Sequence, residues 1–216
     1  MIPDSIQQIS CDVIGGTDVA VIRQLSVWAH CELMPRIPGN ARIISLDGWN
    51  GVGKTTLGRV LATSISSRLI DLDDYLNRNQ GKFLAALRSQ ELARTIEERI
   101  AQQGRVVVAG CLIDLALQQS KIAADHRIYV MRLSGMVSNP DVETIDEFDA
   151  LYGDKSADAL IAEADQQVRL WAELSGQPIA ADECAVPELE CELIWYHKQH
   201  RPHDFADLIV RVIRRA

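Results

Sequence analysis

Gly48-Trp49-Asn50-Gly51-Val52-Gly53-Lys54-Thr55 has the spacing G-x-x-x-x-G-K-[ST], and residues of those types at that spacing hold a polyphosphate. Glycines at both ends let the backbone curl so that successive N–H groups point inward at an anion. Lys54 is placed to reach the β and γ phosphates and Thr55 to offer its hydroxyl to Mg²⁺. The helix that opens there, through Thr56 and Leu57, adds the positive end of its dipole. The expected nucleotide contacts are Gly48, Trp49, Asn50, Gly51, Val52, Gly53, Lys54, Thr55 and Thr56, with ATP and Mg²⁺ as the cofactors.

Two further groups carry charge that phosphate chemistry can use. Asp71, Asp73 and Asp74 follow the apolar run Leu69-Ile70, and open α/β sheets bind ligands where strands deliver their C-terminal ends. If the strand persists, Asp71 and Asp73 share a side. Carboxylates this close repel unless Mg²⁺ or a substrate hydroxyl engages one of them, the alternative being a solvated turn or a helix N-cap. Trp195 to Asp204 is the densest basic cluster of the chain and holds three of its five histidines, with Lys198 and Arg201. It can neutralise a transferring phosphoryl group or simply place cations at a helix C-terminus.

The elements that must position these groups alternate. Arg42 to Asp47 is a short apolar strand ahead of the glycine loop, and Leu57, Val60, Leu61 and Ile65 recur at helical spacing after it. Arg68 to Leu72 reads as a second strand, Gly81 to Gln103 as a long helical tract in one or two pieces, and Arg105 to Gly110 as a buried β-branched strand. Asp114 is the nearest acid to the end of that strand, and Arg127 to Leu133 is the fourth strand. Helices are expected from about Lys155 to Leu174 and from Glu188 to Tyr196, with a last strand from Ala206 to Ile213. Alternation of this kind means a parallel sheet with right-handed crossovers. Ahead of it, residues 1–16 read as an irregular lead-in, and Asp18 to Met34 as a helix with Val21, Leu25 and Trp28 on one stripe, stopped by Pro35 and Pro38. Residues 1–40 are thus an arm and helix packed on the nucleotide-binding domain of residues 41–216. Packing on a second copy, as a homodimer, is the other way to cover that helix.

Composition narrows the partners. At 216 residues with 47% hydrophobic content, the chain suits one core and has no apolar run able to span a bilayer, so no membrane partner is expected. A net charge of −8 argues against nucleic acid as the main partner. The start Met1-Ile2-Pro3-Asp4-Ser5 lacks a secretory pattern and the five cysteines are scattered, which points to the cytoplasm and to free thiols.

In order, the strand, the loop, Asp73-Asp74-Tyr75, Val106-Val107-Val108-Ala109-Gly110 and the Pro202 to Val210 segment resemble the uridine kinase and phosphoribulokinase type of P-loop kinase, to which nicotinamide riboside kinase also belongs. The resemblance covers roughly residues 41–133 and 195–213. It implies a P-loop NTPase fold of the α/β class, a mostly parallel five-stranded sheet with helices on both faces. It also implies Lys54 as the γ-phosphate cation, Thr55 as the metal-side hydroxyl, and Asp73 as base or Mg²⁺ partner. Two features depart from that pattern. Ala109-Gly110 stands where Glu-Gly is usual, with Asp71 or Asp114 as the replacement carboxylate. The arginine-rich lid after the fourth strand is missing, which leaves the His197 to Arg201 cluster, and Arg201 in particular, as its catalytic substitute. No Asn-Lys-x-Asp pattern supports a switch-type GTPase. The expected activity is ATP-dependent phosphorylation of a hydroxyl on a small molecule, a nucleoside or sugar-like metabolite; the alternative is a regulatory module that binds or hydrolyses ATP without a small acceptor.

Overall fold

The computed structural model describes residues 11–14, 17–22, 33–77, 82–133, 153–177, 179–180 and 183–213. Its strands are β1 (Cys11–Ile14), β2 (Thr17–Ile22), β3 (Ile43–Asp47), β4 (Leu69–Asp71), β5 (Val106–Ala109), β6 (His126–Leu133) and β7 (Leu208–Ile213). Its helices are α1 (Lys54–Ser64), the single turn α2 (Phe83–Ala86), α3 (Ser89–Gln103), α4 (Ile113–Gln119), α5 (Ala157–Leu174) and α6 (Glu188–His200). The sheet order is β1-β2-β7-β6-β3-β5-β4. Every neighbouring pair is parallel except β1 with β2.

The five strands expected from the sequence form the run β4-β5-β3-β6-β7. β3 and β5, both flanked by parallel neighbours, are apolar because each has helices on both of its faces. Alternation along β3 then divides the chemistry. Ile44 and Leu46 point to one layer, where Leu57, Leu61 and Ala62 of α1 pack with Val107, Ala109, Ile128 and Val130. Ile43 points to the other, where α3, α4 and α6 contribute Leu92, Ile96, Ile113, Leu117, Leu193 and Tyr196. Asp47 shares that second side with Ile43 and Ser45.

The N-terminal reading requires correction. Thr17–Ile22 is a strand rather than the first turn and a half of a helix, and pairs in parallel with β7, Asp18 opposite Leu208 and Ile22 opposite Val212. Cys11–Ile14, expected to be irregular, pairs antiparallel with it. The physical reason is that Val19, Val21 and Ile22 are β-branched and meet the open edge of β7. Residues 23–32 of the expected helix and the acidic residues Asp141 to Asp149 lie outside the described residues, and Met34, the expected end of that helix, opens the 3-10 turn Met34–Arg36. Among the described residues no helix is long and apolar enough to cross a membrane.

Candidate active site

β3 delivers the glycine loop at its C-terminal end, and three positive φ angles shape it: Gly48 at 140°, Gly51 at 74° and Gly53 at 104°. Gly48 is fixed by space as well as by conformation, since a Cβ there would lie 2.1 Å from the carbonyl oxygen of Val130 on β6. Gly48→Ala is therefore expected to cost about 2–3 kcal/mol of stability, read as a lowered urea midpoint at unchanged slope. Val52 is buried, whereas Asn50, Gly51 and Thr56 are exposed. Lys54 opens α1 and is buried, its Nζ donating to the carbonyls of Trp49 at 2.7 Å and Gly48 at 3.0 Å and lying 3.4 Å from Cys111 Sγ. Its ammonium therefore sits within the loop's curl.

The carboxylates enter from β4. The strand ends at Asp71 and a 3-10 turn spans Leu72–Tyr75, so the condition under which Asp71 and Asp73 would share a side, a strand that persists to Asp73, is not met. Asp71 instead caps the turn, accepting the Asp73 N–H at 3.3 Å, and its other oxygen accepts the Thr55 hydroxyl at 3.0 Å. Asp73 is exposed on the turn, and its carboxyl is raised above the ordinary range by partial burial first and by Asp71 second, with Lys54 pulling the other way. The oxygen partner that the structure gives Thr55 is thus Asp71, which the sequence offered as one of three clustered carboxylates and as a replacement for the glutamate after β5. The same turn is gripped by Arg88, whose guanidinium donates to the Asp74 carbonyl, pairs with Glu91 at 2.6 Å and lies over the Tyr75 ring. Asp114, the other substitute, pairs with Arg127 at 3.5 Å and is held above the ordinary range by burial.

The basic cluster divides: Tyr196, His197, Pro202 and His203 are buried, while Lys198 is half-buried and His200 and Arg201 are exposed. His197 is 1% exposed, packs at 5.1 Å from the Trp49 ring, and is depressed to about 4 by burial, which leaves it neutral at pH 7. His203 packs against Tyr129. Lys198 reaches the Gly153 carbonyl at 3.5 Å. Arg201 follows α6 and pairs with Asp204, on the segment descending to Asp207, whose backbone N–H reaches Arg127 near the start of β6. His203, two residues on from Arg201, packs on Tyr129, which stands opposite Asp47 in the sheet.

Asp47 escaped the sequence reading, although its place as the last strand residue before Gly48 was a signal. It is buried, accepts the Gly48 N–H at 2.7 Å and the Tyr196 hydroxyl, and is raised to about 7, by burial above all. Asp114 adds to the rise, and Tyr196, the Gly48 N–H and Lys54 oppose it. A carboxyl raised on folding contributes stability that is full below its unfolded value, near 3.8, and is lost as pH rises through 7. His197 acts in the opposite sense, its contribution being lost as pH falls from 6.5 through 4. The stability of the parent minus that of Asp47→Asn should therefore fall between pH 4 and 7, which urea titrations of both proteins at pH 5 and 8 would show.

Comparison with known proteins places a likeness on this same ground. Residues 50–113, which include Lys54, Thr55, Asp71, Asp73 and Cys111, match the profile of the family described as Shikimate kinase. Over 76 residues the chain is 42% identical to a shikimate kinase of Chlorobaculum tepidum, a stretch covering 31% of this chain and 39% of that protein. The chain thus spans about two fifths of the length of that relative. Both likenesses fall on P-loop kinases of small molecules.

Proposed function

We propose that the protein transfers the γ-phosphoryl group of ATP to a hydroxyl of a small molecule. The observation that carries this reading is the juxtaposition of Lys54 in the glycine loop with the Thr55–Asp71 pair and, two residues on, Asp73. Phosphoryl transfer asks a protein mainly to position and to neutralise. The loop N–H groups and Lys54 would hold the phosphates, and Asp73 would orient the acceptor hydroxyl and take its proton. Its raised carboxyl is a better base than an ordinary aspartate would be. Mg²⁺ fits the oxygens present: it is held by one or two carboxylates or hydroxyls together with phosphate and water, and Thr55 and Asp71 offer such a pair. When bound it would neutralise charge on the phosphates.

For the acceptor, the comparisons favour a shikimate-like compound over the nucleoside suggested by the uridine kinase resemblance. A hydroxylated carboxylate also suits the cation beside the turn, Arg88, whose Nε is buried and makes no hydrogen bond within the protein. The test is ADP release from Mg·ATP with shikimate, uridine, nicotinamide riboside and a set of sugars in turn. Acceleration by one of them supports the kinase and names its class. ATP turnover or binding that no acceptor changes would replace this reading with the regulatory module.

A further inference from the structure

Three parts of the chain converge on the first residue of the glycine loop. β3 turns Asp47 toward the layer that holds α6, because it shares a face with Ile43 and Ser45. One carboxylate oxygen accepts the Gly48 N–H at 2.7 Å and the other accepts the hydroxyl of Tyr196, from α6. Tyr196 is buried, and its neighbour His197 packs beneath Trp49, the next residue of the loop. Gly48, whose N–H Asp47 holds, is also the residue whose carbonyl receives Lys54 at 3.0 Å. A chain of contacts therefore runs from α6 through Asp47 and Gly48 to the lysine. Neither Asp47 nor Tyr196 lies within the residues that match the kinase profile.

We propose that Tyr196 and Asp47 are a positioning pair for the nucleotide. By holding the entry to the loop they keep its N–H groups and Lys54 aimed at the same polyphosphate. The chemistry requires two acceptor oxygens on one buried side chain. One pins the backbone at Gly48, and the other is locked by the phenol so that the carboxylate cannot rotate away. This rests on the reading that the loop binds Mg·ATP, but not on there being an acceptor.

The test is calorimetric titration with Mg·ATP, and with inorganic triphosphate as a probe of the phosphate contacts alone, using the full chain. Tyr196→Phe, Asp47→Asn, Asp47→Ala and the Asp47→Ala/Tyr196→Phe double variant would each be titrated and melted. Losing the hydroxyl should raise Kd for both ligands about 5–10-fold while Tm stays within a few degrees. Asp47→Ala should cost more, and Asp47→Asn, which keeps an acceptor for the Gly48 N–H, should recover most of that loss. The double variant should bind no worse than Asp47→Ala, because the hydroxyl then has no carboxylate to serve. A Kd unchanged in Tyr196→Phe, losses that simply follow Tm, or losses that add in the double variant would overturn the proposal. Should Tyr196→Phe fail to fold, Asp47→Ala against Asp47→Asn decides the question. An acceptor panel that stays flat with this pattern of Kd intact overturns the kinase and leaves the pair; acceptor-dependent turnover with parental Kd in Tyr196→Phe does the reverse.

Discussion

Lys54→Ala is expected to lower kcat/KM for Mg·ATP by about 10³ and to abolish stabilisation by the nucleotide. Lys54 is 7% exposed, and its ammonium is held by two loop carbonyls and flanked by a thiol, none of which carries a full negative charge. Asp47 and Asp73 lie close enough for its charge to lower both carboxyls, but Asp47, raised to about 7, is a weak counter-ion. A cation so enclosed has much to gain from an incoming polyphosphate, and that gain is differential binding of the kind that appears in a rate. The parent at 100 times Kd should gain about 2.7 kcal/mol from Mg·ATP, and the variant nothing measurable. Lys54→Arg should not rescue, because the planar guanidinium needs more room than Gly48 and Cys111 leave. A variant that keeps both turnover and the nucleotide-induced rise in Tm would remove Lys54 from the site.

Why this lysine was legible in the sequence, and its supporting cast was not, follows from the range of the interactions. The loop is a local solution: glycines, lysine and threonine within eight residues, preceded by a strand and followed by a helix, as the structure has them. The parallel strand β5 announces itself because burial on both faces leaves no polar alternation. Thr17–Ile22 did not, because the helical stripe of Val21, Leu25 and Trp28 and the β-branched residues Val19, Val21 and Ile22 overlap, and a long-range partner, the edge of β7, decides between them. The same holds for Tyr196. Its sequence neighbours are histidines and a lysine, which read as a charged helix end, whereas the fold turns Tyr196 and His197 inward to Asp47 and Trp49. Charge written in a sequence is a surface property only if the helix face carrying it stays at the surface.

Asp73→Asn is expected to lower kcat by a factor of about 10² or more with Kd for Mg·ATP nearly unchanged, and Asp71→Asn to do something different. The two carboxylates stand two residues apart but have separate work in the structure. Asp71 is spent on the Thr55 hydroxyl and on the turn's own N–H, so its loss should weaken the metal-side arrangement and raise the Mg²⁺ concentration needed for half-maximal rate. The Asp73 carboxylate makes neither of those contacts, is exposed on the turn, and has its affinity for a proton raised by partial burial and by Asp71. A base must be deprotonated to act, so the parent's kcat should fall as pH drops through a value above the ordinary aspartate range, and Asp73→Asn should lose that acid limb. Asp71→Asn removes the neighbouring negative charge that helps raise Asp73, and so should move the limb to lower pH. Profiles of kcat against pH for the three proteins, each at saturating Mg·ATP and acceptor, separate the roles. An acid limb that survives in Asp73→Asn would assign proton acceptance elsewhere, and an unshifted limb in Asp71→Asn would break the electrostatic link between the two.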